Sequence, residues 1–453
     1  MLVVKILLGL AGLGVIVFVH ELGHFLAARL VGIDVEAFSI GWGKPILTKK
    51  VGGTEYRLGI FPVGGYCKMR GDNDFQNAYQ NNLDAIPAEK GSFFSVKPVS
   101  RIIVAFAGPF FNLIFAVLVF SVIWGVGFEF TTMDNKIVLV SDIQHEESYP
   151  ADKAGLKSGD KIIAINGKQI DNYRDIQSAI AVNAEKKLRI TALRNGREFE
   201  VQAEPELDKN TGAGRLGVYF WADPLVDSVL PDSAASMAGI KSGDRITKIN
   251  GVDFPYSVAL YSILNEQPAV KSLQIELERD GKIINTELVL PAEDEDSRLG
   301  IVWQAVKYKT PRYSIFTAAA KGFSETYDTF IVSIRSLALL FKGIDLTQAV
   351  SGPVRITYMV GEIATESFTD SIGEGLRNIG NFLALISIAL AVMNLLPLPV
   401  LDGGLIVLFI IEIIRRRPLH PRFISVFQTA GVVIIGGLML FAVFGDIIFL
   451  VKR

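Results

Sequence analysis

Residues 20–24 read His-Glu-Leu-Gly-His, with the two histidines four positions apart. On a helix that spacing stacks His20 and His24 on one face, where neutral imidazoles can hold a single divalent ion. Glu21 then points beside the ion, placed to take and return a proton of a bound water. This is a metal-dependent hydrolase pattern, but five residues also match by chance, so the surroundings decide. Residues 6–19 hold no charged side chain, and the apolar run resumes after His24 until Arg29. An acid at the centre of a bilayer costs roughly 2.5–3.5 kcal/mol, so histidine and glutamate there need a partner or a function. A bound metal supplies both. The plainer readings are a cleaved signal peptide or a soluble core helix; against the first, the run has a single lysine, Lys5, and no clear small-residue cleavage site.

A catalytic zinc takes three protein ligands and keeps a fourth position open. Beyond this pair the chain has only His145 and His420, in segments that read as an outward soluble insert and a basic loop. The acids at a suitable depth are Asp402 and Glu412. Asp402 falls in the stretch NLLPLPVLDGG, residues 394–404, where Pro397 and Pro399 must break a helix and free backbone polar groups. Alone, Asp-Gly-Gly reads as a helix-ending turn; beside HELGH, Asp402 is the expected third ligand. Glu412 reads as interfacial, since it precedes Arg415, Arg416 and Arg417.

The elements that must position these residues are apolar spans. Half the chain is hydrophobic, with a mean hydropathy of +0.37 and a net charge of −2. No long basic block is present, which argues against nucleic acid as a partner. The lone Cys67 excludes an internal disulfide and a multi-cysteine metal site. Besides the first run, residues 102–124, 379–401 and 423–445 are uncharged and long enough to span a bilayer. Residues 29–101 carry ten Lys and Arg, and the segment between the last two runs carries four arginines, so both should be cytoplasmic. Lys452 and Arg453 argue weakly the other way. Both termini and the long insert then face outward, into the periplasm of a Gram-negative cell.

The insert repeats itself: AGLKSGDKIIAING at 154–167 returns as AGIKSGDRITKING at 238–251. Around each copy, strand, helix and hairpin signals resemble tandem PDZ domains, which bind peptides by strand addition. Leu216-Gly217-Val218 and Leu299-Gly300-Ile301 resemble carboxylate loops for such grooves; spacer domains without a ligand are the alternative. Residues 312–342 are apolar at helical spacing but interrupted by charge, as in an amphipathic surface helix or one packed under the insert. In Thr54–Arg70, Tyr56, Leu58 and Ile60 alternate ahead of a turn ending in Gly64-Gly65, and Tyr66 starts the return strand.

Together, HExxH in the first span, Asn-x-x-Pro-x-x-x-x-Asp-Gly in the third and PDZ-like repeats between resemble the site-2 protease family of intramembrane zinc metalloproteases, over essentially the whole chain. The resemblance implies His20, His24 and Asp402 as Zn2+ ligands, Glu21 as general base and Asn394 as a substrate contact. Ala107-Gly108-Pro109 with Asn112 matches the family's second-span signature, whose role is less defined. It further implies that the hairpin holds an unwound substrate strand through Tyr56, Leu58, Ile60, Gly64, Gly65 and Tyr66. Implied substrates are single-span membrane proteins, among them an anti-sigma factor already clipped by another protease, and leftover signal peptides.

The expected fold is a polytopic α-helical membrane protein of the bacterial inner membrane. Transmembrane helices occupy 1–30, 101–127, 376–402 and 423–451; PDZ domains 128–218 and 219–308; a membrane-associated β-hairpin region the cytoplasmic loop 31–100; an amphipathic membrane-surface region 309–375; and a second cytoplasmic loop 403–422. The active site should lie within the bilayer near its cytoplasmic side. A catalytically inactive PDZ scaffold and a metal transporter are the rival classes; neither needs Glu21 between the ligands.

Overall fold

Among the described residues, four helices are long and apolar enough to cross a membrane: Ile6–Leu30, Pro98–Val126, Ile372–Asn394 and Pro421–Asp446. They belong to a computed structural model that describes residues 2–87, 89–144, 148–209, 212–266, 271–290, 299–339, 352–366 and 372–451; His145 lies outside these. Contacts divide the chain into two units, Met1–Phe128 with Thr310–Arg453, and Glu129–Lys309.

In the helical unit, small residues let the spans approach closely. Ala27 and Ala28 at the end of the first span pack with Ile33, Val35, Val104 and Ala107. Further along, Ala116 and Phe120 of the second span close on Ala384, Ile388 and Val392 of the third. Helix Ile315–Leu339 is not isolated at a surface but runs lengthwise along the second span. Gly322 abuts Ser121, while Phe330 and Leu337 reach the Ala116–Phe120 cluster. Its charges are used in that contact: Trp124 Nε1 donates to Glu325 at 2.6 Å, and the Lys321 ammonium lies 4.5 Å from the Trp124 ring.

The third span stops earlier than its apolar run suggests. Its helix ends at Asn394, residues 395–401 double back, and a separate helix, Asp402–Arg415, begins. The turn is tight: Val400 has φ 78°, and a Cβ on Gly403 or Gly404 would come 2.5 Å from the Leu395 carbonyl carbon or 2.7 Å from that of Leu398. Stretch 403–422, expected as a loop, is therefore mostly helical. At 14 residues the helix is about 21 Å long, too short to cross a ~30 Å hydrocarbon layer. Glu412, expected at the interface, is partly buried and takes both terminal nitrogens of Arg101, at 2.8 and 3.1 Å. Phe409 stacks on that guanidinium at 4.9 Å. The pair ties the short helix to the start of the second span.

The segment between the first two spans forms two long strands, Val35–Val51 and Thr54–Met69, that fold back on each other. Phe38 pairs with both Cys67 and Tyr56, and Ile40 with both Gly65 and Leu58, so residues 37–40 lie inside the sheet. On the far side, Leu47 and Lys49 pair with Leu58 and Tyr56. Residues 65–69 and 45–51 are left as the two rims.

In the other unit, the sequence repeat becomes a structural one: two four-stranded antiparallel sheets of the same strand order. Asn195-Gly196 and Asp280-Gly281 make the tight hairpins, with φ 50° at both Asn195 and Asp280. The repeated Gly-Asp explains itself here. Arg279 grips Asp244 through two bonds of 2.6 Å and donates to the Gly239 carbonyl at 2.8 Å; Arg194 does the same to Asp160 and Gly155. Burial pushes the Asp244 carboxyl up, but the Arg279 fork and the Lys241 amide outweigh it and hold it below the usual carboxylate range. A depressed folded value means the stabilisation is complete above the ordinary aspartate pKa of about 3.9 and is lost as pH falls through the folded value. Asp244→Asn should cost ~3 kcal/mol at neutral pH, because it leaves Arg279 unpaired. Thermal melts should show the gap between variant and wild type narrowing in acid; a constant gap down to pH 2 would contradict this account.

Candidate metal centre

His20 and His24 lie on the first span, both only 8% exposed, with their Nε2 atoms 3.2 Å apart. Asp402, at the first turn of the short helix, brings Oδ2 to 3.2 Å from His20 Nε2 and 3.5 Å from His24 Nε2. The rear of each ring is engaged by the second span. His24 Nδ1 lies 2.8 Å from the Val104 carbonyl, which can only accept, so Nδ1 carries the proton and Nε2 keeps its lone pair. His20 Nδ1 meets the Asn112 side chain at 3.2 Å. Gly108 leaves the room: a Cβ there would fall on His24 Nε2 and 2.8 Å from His20 Cε1.

This donor set fits a cation. Asp402 Oδ2 is buried without a hydrogen-bond donor and faces a lone pair, an arrangement that repels itself unless a positive charge lies between. A tetrahedral zinc with bonds of about 2.0–2.1 Å separates its ligand atoms by about 3.3 Å, and the observed spacings are 3.2, 3.2 and 3.5 Å. Among the described residues, this is the one group of three or more His, Cys, Asp or Glu close enough to share a metal.

Residues 8–438 match peptidase family M50. The chain belongs to that family, the site-2 proteases. A Treponema pallidum (strain Nichols) protein named as a zinc metalloprotease is 36% identical over 448 residues, covering 99% of each chain. The regulator of sigma-E protease RseP of Escherichia coli (strain K12) is 29% identical over 460 residues, covering 96% of this chain and 97% of its own. This M50 peptidase is a zinc metalloprotease, and Zn2+ is its cofactor.

Around the M50 centre the expected residues divide. Asn394 ends the third span with Nδ2 3.5 Å from His20 Nε2, inside the constellation. Glu21 is half-buried beside the rim strand, where a Cβ on Gly65 would lie 3.5 Å from its Cγ. Gly65 and Tyr66 belong to that rim, with Gly64 at its start; Tyr56 and Leu58 do not, since their strand is paired on both sides and offers no free edge. Ile60 lies between that inner stretch and the rim, on the same continuous strand Thr54–Met69. The expected edge thus moves to residues 65–69. A cavity of about 350 Å3 joins that rim to the metal site, lined by Cys67, Met69, His24, Asp402, Phe94 and Leu408 among others. Burial pushes the Cys67 thiol up to about 12, with the nearby Glu21 charge adding to the shift, so it stays protonated. His420 is not part of the centre; its Nδ1 accepts the Arg422 amide at 3.2 Å.

In the insert, Leu216, Gly217 and Val218 line a cleft of about 280 Å3 with Tyr173, Gln177 and Ile180 of one helix. Val218 carries on into a strand whose outward carbonyl takes the Tyr173 hydroxyl at 2.9 Å. Leu299, Gly300 and Ile301 occupy the matching turn of the second sheet, where Ala235 and Leu230 donate to Leu299 and Gly300. Sequence reasoning missed the work of Val104, Gly108 and Arg101. The readable signal was an amide and a glycine four apart in an apolar span, Gly108 and Asn112.

Proposed function

We propose that this protease cuts single-span membrane proteins inside the bilayer, with His20, His24 and Asp402 holding the zinc and Glu21 as general base. The observation that carries this reading is the convergence of His20 and His24, on a helix of spanning length, with Asp402, at the start of the short helix that follows another such span. Bound there, zinc supplies a Lewis acid and an activated water. Glu21 takes the proton of the attacking water at its carboxylate and returns it to the leaving amine nitrogen. Asn394 orients the substrate backbone beside His20.

A transmembrane substrate hides its carbonyls in helical hydrogen bonds and must be unwound first. The rim at residues 65–69 supports strand addition, because it is paired on one side only and its residues 67–69 line the cavity that holds His24 and Asp402. That cavity, walled by Met69, Phe94 and Leu408, suits a large apolar side chain next to the cut bond.

The protein lies in a bacterial inner membrane, with both termini and residues 128–308 in the periplasm and the active site towards the cytoplasmic face. Basic residues between the first two spans and after the third support that orientation. The insert is a PDZ pair that works as a size filter: Tyr173 already occupies the Val218 carbonyl that an added peptide strand would need. Intact substrates with bulky outer domains are refused, and ones shortened by another protease are admitted. The substrates are a membrane-bound anti-sigma factor, in an envelope stress response, and remnant signal peptides. The supporting hint is the name of the Escherichia coli relative.

The reading is tested with purified protein in liposomes and a tagged single-span substrate, intact or clipped, its fragments located by mass spectrometry. Cleavage within the span, stopped by a zinc chelator and confined to clipped substrate, is expected. Deleting residues 128–308 should extend cleavage to the intact form. If the deletion leaves intact substrate as resistant as before, the filter is lost; cuts only outside the span would end the intramembrane assignment.

A further inference from the structure

Asn112 is fully buried in the second span, one turn beyond Gly108, and its side-chain amide is 3.2 Å from His20 Nδ1. Its backbone is pinned, since Ser387 of the third span donates to the Asn112 carbonyl at 3.0 Å. The amide has two ends of nearly equal shape and opposite hydrogen-bonding sense. With Nδ2 towards the ring, His20 Nδ1 must accept, which puts the imidazole proton on Nε2, against Asp402 and His24. Oδ1 is then a buried acceptor with no donor. With Oδ1 towards the ring, His20 Nδ1 donates and Nε2 presents its lone pair. Either way one end of the amide stays unpaired; what differs is whether His20 can act as a ligand.

We propose that Asn112 is the positioning residue of the zinc site, accepting Nδ1–H of His20 through Oδ1 and so fixing the tautomer and plane of that ring. It does for His20 what the Val104 carbonyl does for His24, and the two sit eight residues apart on one helix. Acceptors behind metal-bound imidazoles commonly set ligand orientation and affinity. The inference rests on His20 being a ligand.

The test is zinc affinity, measured on the full-length protein in detergent by competition with a chromophoric chelator. Wild type, His20→Ala, Asn112→Leu and Asn112→Asp are compared, with thermal melts to report folding. Asn112→Leu, close in size but without an acceptor, should weaken zinc binding about 10- to 100-fold. Asn112→Asp, which still accepts Nδ1–H, should bind at least as tightly as wild type, an outcome that a packing role would not give. Should the leucine variant fail to accumulate, Asn112→Ala takes its place with the same expectation. Wild-type affinity in the leucine variant, or equal weakening in leucine and aspartate variants, overturns the proposal while His20→Ala still loses zinc. Full zinc binding by His20→Ala would overturn the ligand assignment, and this proposal with it.

Discussion

Glu21→Gln should lower the rate of intramembrane cleavage by about 10²- to 10⁴-fold, the usual contribution of a positioned acid–base group, while the protein keeps its zinc. Glutamine preserves the size and the hydrogen-bonding reach of the side chain but cannot take a proton from water or return one to an amine. None of the three converging atoms belongs to residue 21, and Glu21 stands instead beside the rim at Gly65. Metal content and melting temperature should therefore match wild type, and the loss should fall on turnover rather than on substrate affinity. Equal cleavage by the two proteins would sink the acid–base role. Loss of zinc along with activity would make Glu21 a structural support of the centre.

A second large effect is expected at a residue that supplies no ligand atom. Gly108→Val adds a Cβ that would overlap His24 Nε2, 2.7 Å from Cε1 of the same ring and 2.8 Å from His20 Cε1. Neither ring can retreat freely, because Val104 holds one from behind and Asn112 meets the other. Overpacking typically costs roughly 1–3 kcal/mol. Here it acts on the ligands themselves, so a loss near the upper end is expected, about 100-fold in zinc affinity, and cleavage should fall with it. Gly125→Ala is the matched control: its Cβ would meet only Ala318, at an ordinary 3.7 Å. Titration with a zinc-competing dye reads both; similar affinities for Gly108→Val and Gly125→Ala would mean the imidazoles are not where the cradle puts them.

Local pattern was the legible part of this chain. HELGH, the four apolar runs, the broken third span and the 84-residue offset of the insert are each readable within a short window, from helical period, run length, proline position or self-similarity. What failed depended on partners far away in sequence. Glu412 reads as interfacial beside three arginines, and nothing near it announces its partner, Arg101, 311 positions earlier. The helix Asp402–Arg415 hides because it is too short to be a span and opens on glycines that read as a turn. Residues 35–51 alternate poorly and carry Gly41, Gly43 and Pro45, so nothing local marks their first half as an inner strand. Once it is known to be inner, Tyr56 and Leu58 lose their free edge and the role passes to 65–69.

Val104, Gly108 and Asn112 contribute no ligand, yet they recur every four residues along one stripe of the second span. Because an α-helix turns about 100° per residue, the three move as one: inserting a single residue ahead of Val104 would swing all of them away from the first span together. Metal competence here is thus a property of register between two helices. Drift in one span, with every ligand intact in the others, would be enough to silence the enzyme, and a homologue that has lost activity should be inspected for its phase in this helix before its histidines are counted.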